Sequence, residues 1–186
     1  MISPIAIDIA AHAATTTNET LCTGARWPVK TLTDPRARSI TPFPHQTRIE
    51  ALRRLTKPRT TRRSPRSVGV ETTTYTTTAL LRFMRKEPDG DIHLVISDPA
   101  SGHTMIVEFP DPRCTTHSRY RTRIDTARRA LQTACGRATT KGHELRGRVT
   151  LTGIGFFDLL HGQTGVAPNG IELHPVTSFT GPCQQT

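Results

Sequence analysis

From residue 68 onward the chain is written in period two. Between 68 and 85, Tyr75, Thr77, Ala79, Leu81 and Phe83 fall on one face, and Thr76, Thr78, Leu80, Arg82 and Met84 on the other. This alternation predicts a strand, one too long to stay flat, so a bend or bulge of the kind that closes a barrel is expected within it. Glu87-Pro88-Asp89-Gly90-Asp91 signals a turn. Ile92, Leu94 and Ile96, alternating with His93, Val95 and Ser97, predict a second strand, and residues 104–109 a third. After Pro110-Asp111-Pro112 the period becomes helical. Tyr120, Ile124, Ala127, Leu131 and Ala134 form one stripe, Gly136 stands where a helix would be capped, and Arg121, Arg128 and Arg129 lie largely off the stripe. A helix over 119–135 follows. Residues 137–146 read as a polar loop. Val149, Leu151 and 154–157 give a fourth strand, with Gly153 and Gly155 at a tight corner, and 171–179 a fifth. The order β-β-β-α-β-β makes the fold class mostly β with one helix (α+β). It is that of the five-stranded Greek-key barrel known as the oligonucleotide/oligosaccharide-binding (OB) fold. A split α+β sandwich is the competing arrangement.

The N-terminal part lacks this regularity. Only 34% of the chain is hydrophobic, low for a protein that is globular throughout, so part of it is expected to fold poorly. Residues 1–24, rich in Ala and Thr, read as a disordered N-terminus or the remnant of a signal. Residues 25–57 read as a docking segment: an extended piece, 27–33, carrying the single Trp27, then a short helix over 47–57. In that helix Thr47 and Glu50 form a capping-box pattern, Ile49, Leu52 and Leu55 mark the apolar side, and Pro58 ends it. Residues 58–67 read as a basic linker, 68–180 as the OB-like barrel domain and 181–186 as a disordered tail.

Charge is uneven. The net charge is +10, and residues 1–67 hold twelve Lys/Arg against four Asp/Glu. The acid-free stretch 53–66 supplies Arg53, Arg54, Arg59, Arg62, Arg63 and Arg66 as candidate contacts to a phosphate-bearing polymer, with Arg82 joining them from the barrel. The competing reading is a solvated linker, since no aromatic residue interleaves the block, and 5% aromatic content is thin for a base-stacking surface. No apolar run is long enough to span a bilayer, so no membrane insertion is expected.

The segment 158–175, DLLHGQTGVAPNGIELHP, is the richest in chemistry. Asp158 and His161 flank a Gly-rich loop, and Glu172 and His174 sit two apart on a strand, so they leave the same face. With His93 and Glu108 from other strands, and Asp89 and Asp91 in the first turn, these groups are weak candidates for an acid–base pair or a metal site. The alternative is structural: His161 and Asn169 bracing the loop, and Glu172 and His174 pairing across strands. No known metal-site spacing is present. The four cysteines have no Cys-x-x-Cys spacing, and Gly162-Gln163-Thr164-Gly165 lacks the Lys of a P-loop. No metal and no cofactor is therefore expected.

Several segments carry a resemblance: Trp27-Pro28-Val29-Lys30-Thr31-Leu32 with Asp34, residues 89–95, residues 104–110, Gly153-Ile154-Gly155-Phe156-Phe157-Asp158, and the run 161–175. Over about 22–179 the chain resembles a family of uncharacterised, often exported bacterial proteins without an established activity. That resemblance implies secretion and a cysteine on either side of the barrel's first strands, at the positions of Cys22 and Cys114. A disulfide between these two would staple Trp27 and its segment to the barrel. The N-terminus has no positively charged start, and Asp8 interrupts its apolar run, so a cytoplasmic location is expected if it does not act as a signal. Three functional readings follow: a noncatalytic OB-like module binding an anionic polymer such as nucleic acid; a metal-dependent hydrolase or nuclease using His93, Glu108, Asp158, His161, Glu172 and His174; and a secreted structural domain. Their convergence or scatter decides the second.

Overall fold

A computed structural model describes residues 21–186; most of the segment 1–24 therefore lies outside the described residues. In chain order the elements are α1 (Trp27–Lys30), β1 (His45–Gln46), α2 (Ile49–Arg53), β2 (Thr74–Lys86), β3 (Ile92–Ser97), β4 (Thr104–Phe109), α3 (Arg121–Cys135), β5 (His143–Arg146), β6 (Arg148–Phe157), β7 (Ile171–Thr180) and β8 (Gln184–Gln185), with short 3-10 turns between some of them. Five strands close a barrel in the order β2-β3-β4-β7-β6, β6 pairing back to β2. All its pairs are antiparallel except β4–β7. This is the OB topology, with α3 between the third and fourth barrel strands.

Closure depends on the two irregularities expected from the sequence. The β2 register shifts between Leu81 and Phe83. The bulge moves the inward face from Tyr75, Thr77, Ala79 and Leu81 to Met84, which is buried in place of Phe83. The β6–β7 pairing shifts around Gly153. A Cβ on Gly153 would lie 2.9 Å from Leu173 Cβ and 2.9 Å from the Pro175 carbonyl oxygen, so the strands meet there only without a side chain.

The barrel interior is filled from alternate positions, among them Leu94, Ile96, Val107, Phe109, Leu151 and Leu173. Ala127, Leu131 and Cys135 of α3 join that core, while Ile124 joins a second cluster with Leu32, Ala37, Ile40 and Ile154. The helix thus ties the N-terminal arm to the barrel. Arg128 departs from the expected pattern. It is buried, and its guanidinium donates to the Phe109 and Gly90 carbonyls.

The arm itself differs from expectation. Residues 27–30 are helical rather than extended, with Pro28 in the first turn, where its missing N–H costs nothing. The short helix is confined to Ile49–Arg53 and has no Thr47 cap; Glu50 instead engages His103 and Arg54. Residues 58–67 are no free linker. Arg66 is fully buried, bound to Asp34 at 2.7 Å and to the Val29 and Glu71 carbonyls. Beside it, Arg26 grips Glu71 with two parallel bonds of 2.7 and 2.6 Å, both side chains 0% exposed. Burial pushes the Glu71 carboxyl up. Arg26 and the Ser67 and Phe157 amides outweigh that, holding it below its usual value.

Two disulfides complete the frame: Cys22–Cys114, with Cα atoms 5.2 Å apart, and Cys135–Cys183. The second anchors the C-terminus, where β8 pairs with β5. Residues 181–186 are thus not a tail, and 137–146 contains a strand. Their short polar runs carry too little alternation to announce a strand.

Two outcomes follow. Arg26→Ala leaves a buried carboxylate without its counter-charge and is expected to cost about 3–5 kcal/mol in urea unfolding, with Arg26→Ala/Glu71→Ala recovering part of the loss. The two disulfides close separate loops spanning 92 and 48 residues in sequence. Replacing either pair by Ser should lower stability by roughly 4–5 kcal/mol on chain-entropy grounds, approximately additively.

Candidate functional site

Period two decides which side chains meet. On β3, Ile92, Leu94 and Ile96 enter the barrel, so His93 points outward; on β4, Val107 and Phe109 enter and Glu108 points outward. His93 and Glu108 are direct cross-strand partners. On β7 the same alternation turns Glu172 and His174 outward, and Glu172 pairs with Ile106 of β4 and Phe156 of β6. An outward face normally meets water. Here His93, Glu108, Glu172 and His174 are all buried, because α1 and the loop 158–170 cover them. Lys30 of α1 lies 3.8 Å from Asp158 and 5.5 Å from the Phe156 ring centre. Gly165 is packed so closely on Val95 that it has no room for a Cβ.

The buried groups form a chain. Asp91 lies 3.2 Å from His174 Nε2, and Glu108 lies 3.2 Å from His174 Nδ1, with Glu172 at 3.7 Å from the same nitrogen. The other Glu108 oxygen meets His93 Nδ1 at 3.1 Å, and His93 Nε2 lies 3.0 Å from the Thr164 carbonyl. The ring of His174 stands edge-on to Phe156 at 5.5 Å. Its contacts to Asp91 and Glu108 have ion-pair distances but not the directions of good hydrogen bonds. Both His174 nitrogens, Asp91 Oδ2 and Glu172 Oε2 are buried without a hydrogen-bond partner.

This packing splits the proton affinities. Burial raises Glu108, but His93, Lys30 and His174 outweigh it and hold the carboxyl at about 2. Burial and the charges of Glu108 and Asp158 raise Glu172 to about 7. Burial disfavours charge on His174, yet Asp91, Glu172 and Glu108 lift it to about 9; His93 is raised in the same way by Glu108. Burial and the Asp91 charge raise Asp89 to about 6.

The chain opens into a cavity of about 310 Å³ lined by Lys30, Asp89, His93, Glu108, Asp158 and His161, with Thr23, Arg85, Glu87, Pro88 and Gln163 completing the wall. Gln163 holds the loop by donating to Asp158 and the Leu159 carbonyl and accepting from the His161 amide. His161 is 67% exposed and 3.9 Å from Asp158.

His93, Glu108, Asp158, His161, Glu172 and His174, picked from four separated stretches of sequence, therefore converge. Four line the cavity and Glu172 and His174 lie behind Glu108. The arginines divide. Arg59, Arg62, Arg63, Arg54 and Arg82 are exposed, Arg54 pairing with Glu50 and Arg82 with Ser97. Arg53 is bound to the Thr104 carbonyl, and Arg66 is sealed against Asp34; neither is free to meet a phosphate. Asp91, placed among the candidates in the first turn, joins the buried group at His174, whereas Lys30 was not anticipated as a site residue. Asp91 sits two before His93, a same-face spacing, whereas nothing in Trp27-Pro28-Val29-Lys30 announces a buried ammonium.

Comparison with known proteins returned no matching family, no matching curated protein and no matching solved structure.

Proposed function

We propose that the protein is a hydrolase of anionic polymers, phosphodiesters foremost, with this cavity as its active site. The observation that carries the reading is the convergence of His93, Glu108, Asp158 and His161 on one cavity, backed by Glu172 and His174. Its position supports the same reading. The cavity lies against the second and third barrel strands, between the 87–91 turn and the 158–170 loop, the face and loops with which OB barrels take oligonucleotides and oligosaccharides.

The charge pattern favours a polyanion. Exposed Arg59, Arg62 and Arg63 belong to a segment tied to this end of the barrel: Lys57 donates to the Asp158 carbonyl, and the Arg26 amide donates to the Arg62 carbonyl at 3.0 Å. Such a field draws phosphates toward the cavity. In the reaction a water oxygen bonds to phosphorus and its proton passes to Asp89, the partly exposed carboxylate of the wall. The departing ester oxygen keeps the bonding pair and takes a proton from His161. Glu108, fixed by His93, orients the attacking water.

The test is turnover of single- and double-stranded DNA and RNA, and of bis(p-nitrophenyl) phosphate, with Mn²⁺, Zn²⁺, Mg²⁺ or Ca²⁺ supplied. His161→Ala is expected to lower kcat/KM by roughly 10²–10⁴ without moving the thermal midpoint. Absence of turnover on every substrate overturns the reading.

The exposed arginines favour a second reading, a noncatalytic module that holds the polymer. In either case affinity should fall with salt. Replacing Arg59, Arg62 and Arg63 together by Ala should reduce the slope of log K against log salt by about 2–3 if each meets one phosphate, as measured by fluorescence anisotropy. Arg66→Lys should leave that slope unchanged.

A further inference from the structure

We propose that Asp91, Glu108 and His174, brought together on the outer face of β3, β4 and β7, bind one divalent transition-metal ion of the manganese or zinc kind. One ligand atom from each of the three lies within 4.8 Å of the others. All three residues are buried, and acidic groups on a protein surface often gather without a ligand, but groups sealed from water do not stay unpaired at small cost. Here Asp91 Oδ2, both nitrogens of His174 and the neighbouring Glu172 Oε2 are buried without a hydrogen-bond partner.

The partners nearby are spent elsewhere. Lys30 reaches Asp158, and Arg128 donates to the Phe109 and Gly90 carbonyls rather than to Asp91. Each ligand is also oriented through its other donor atom. Asp91 Oδ1 accepts from the Asp111 amide at 3.1 Å, leaving Oδ2 toward His174. Glu108 Oε1 meets His93 at 3.1 Å, leaving Oε2 toward His174. Each imidazole nitrogen of His174 has a carboxylate oxygen 3.2 Å away, Asp91 Oδ2 beside Nε2 and Glu108 Oε2 beside Nδ1. Outer partners of this kind fix ligating carboxylates and imidazoles in metal sites.

The donor set selects the ion. Two carboxylates and one imidazole suit manganese or zinc better than calcium, which prefers an all-oxygen shell of six or more, or magnesium, which retains its waters. Glu108 belongs both to this group and to the cavity wall, so the ion would sit next to the cavity. That also answers a difficulty of the hydrolase reading, on which the ion's role rests: a phosphate entering among Asp89, Glu108 and Asp158 meets like charge unless a cation stands between. The competing arrangement is a protonated His174 clamped between Asp91 and Glu108 with no ion at all.

The experiment is isothermal titration of the full chain, stripped with EDTA, against MnCl₂ and ZnCl₂, with MgCl₂ and CaCl₂ alongside. One equivalent of Mn²⁺ or Zn²⁺ should bind, at least tenfold more tightly than Mg²⁺ or Ca²⁺. Asp91→Asn and Glu108→Gln should each weaken it a hundredfold or more, and His161→Ala should leave it unchanged. If the buried variants do not fold, Mn²⁺ added to the unaltered protein should broaden the amide resonances around 91, 108 and 174 before any others. No saturable binding at 1 mM ion, or broadening centred elsewhere, overturns the site. Stoichiometric binding without turnover removes the hydrolase and keeps the metal site; EDTA-resistant turnover without a bound ion does the reverse.

Discussion

The guanidinium of Arg26 and the carboxylate of Glu71 meet where three separate pieces of chain come together, and both are shut off from water. Glu71 also accepts from the Phe157 amide, which ends β6, and from the Ser67 amide. Arg26 also donates to the carbonyls of Ser64, Pro65 and Phe157 and lies 4.8 Å from the Phe156 ring centre. An ion pair in that setting gains little net stability over an apolar pair of the same shape, but it is unforgiving about position. Lys30 lies one helical turn beyond Arg26, and Asp158 directly follows Phe157. Fixing Arg26 against Phe157 therefore fixes the distance between a buried ammonium and its carboxylate at the cavity wall. The arm works as a roof because this contact allows it one place.

The roof changes the meaning of the barrel's outer face. Strands β3, β4 and β7 use their inward positions for packing and their outward positions for His93, Glu108, Glu172 and His174. In a barrel open to water those four would be solvated and carry ordinary proton affinities. Covered by α1 and the 158–170 loop, they interact at low dielectric, which separates Glu108 at about 2 from Glu172 at about 7. A pair of carboxyls driven apart in this way is a recurring property of sites that handle protons, although structural ion-pair networks produce it too. The splitting alone does not distinguish the two cases, and the proposed function rests on the cavity instead.

What was legible in the sequence follows from the range of the forces involved. Strands and helix are set by neighbours two to four residues apart, so Leu94 against His93, or Ile124 against Ala127, report their own surroundings. The β2 bulge was legible because a strand of that length has to bend in a barrel, though Met84 replacing Phe83 on the inner face depended on where the bend fell. Same-face logic brought Glu172 and His174 together. The arm was opaque for the opposite reason. Arg66 looks like one more solvated arginine, and Asp34 and the Val29 carbonyl, far away in sequence, help make it a buried one. Lys30 was hidden likewise, since the Phe156 ring and Asp158 that accommodate it arrive more than a hundred residues later. The Cys135–Cys183 bond and the β5–β8 pair belong to the same class: long-range contacts between short polar segments that have no period of their own.

The charges finally sort by depth. The net +10 is carried outward by arginines such as Arg59, Arg62 and Arg63, while the cavity and the groups behind it hold Glu87, Asp89, Asp91, Glu108, Asp158 and Glu172 against Lys30 and Arg85. A uniformly basic groove would hold a polyanion by its backbone and have little reason to keep buried carboxylates. A uniformly acidic pocket would turn one away. Positive charge on the exposed arm and negative charge in the cavity suit a ligand that is anionic along its length and is met, at one point, by a cation held in the floor. The unpartnered faces of Asp91 and His174 are where that cation would be held, and the same burial that leaves them unpartnered would keep water from competing for it.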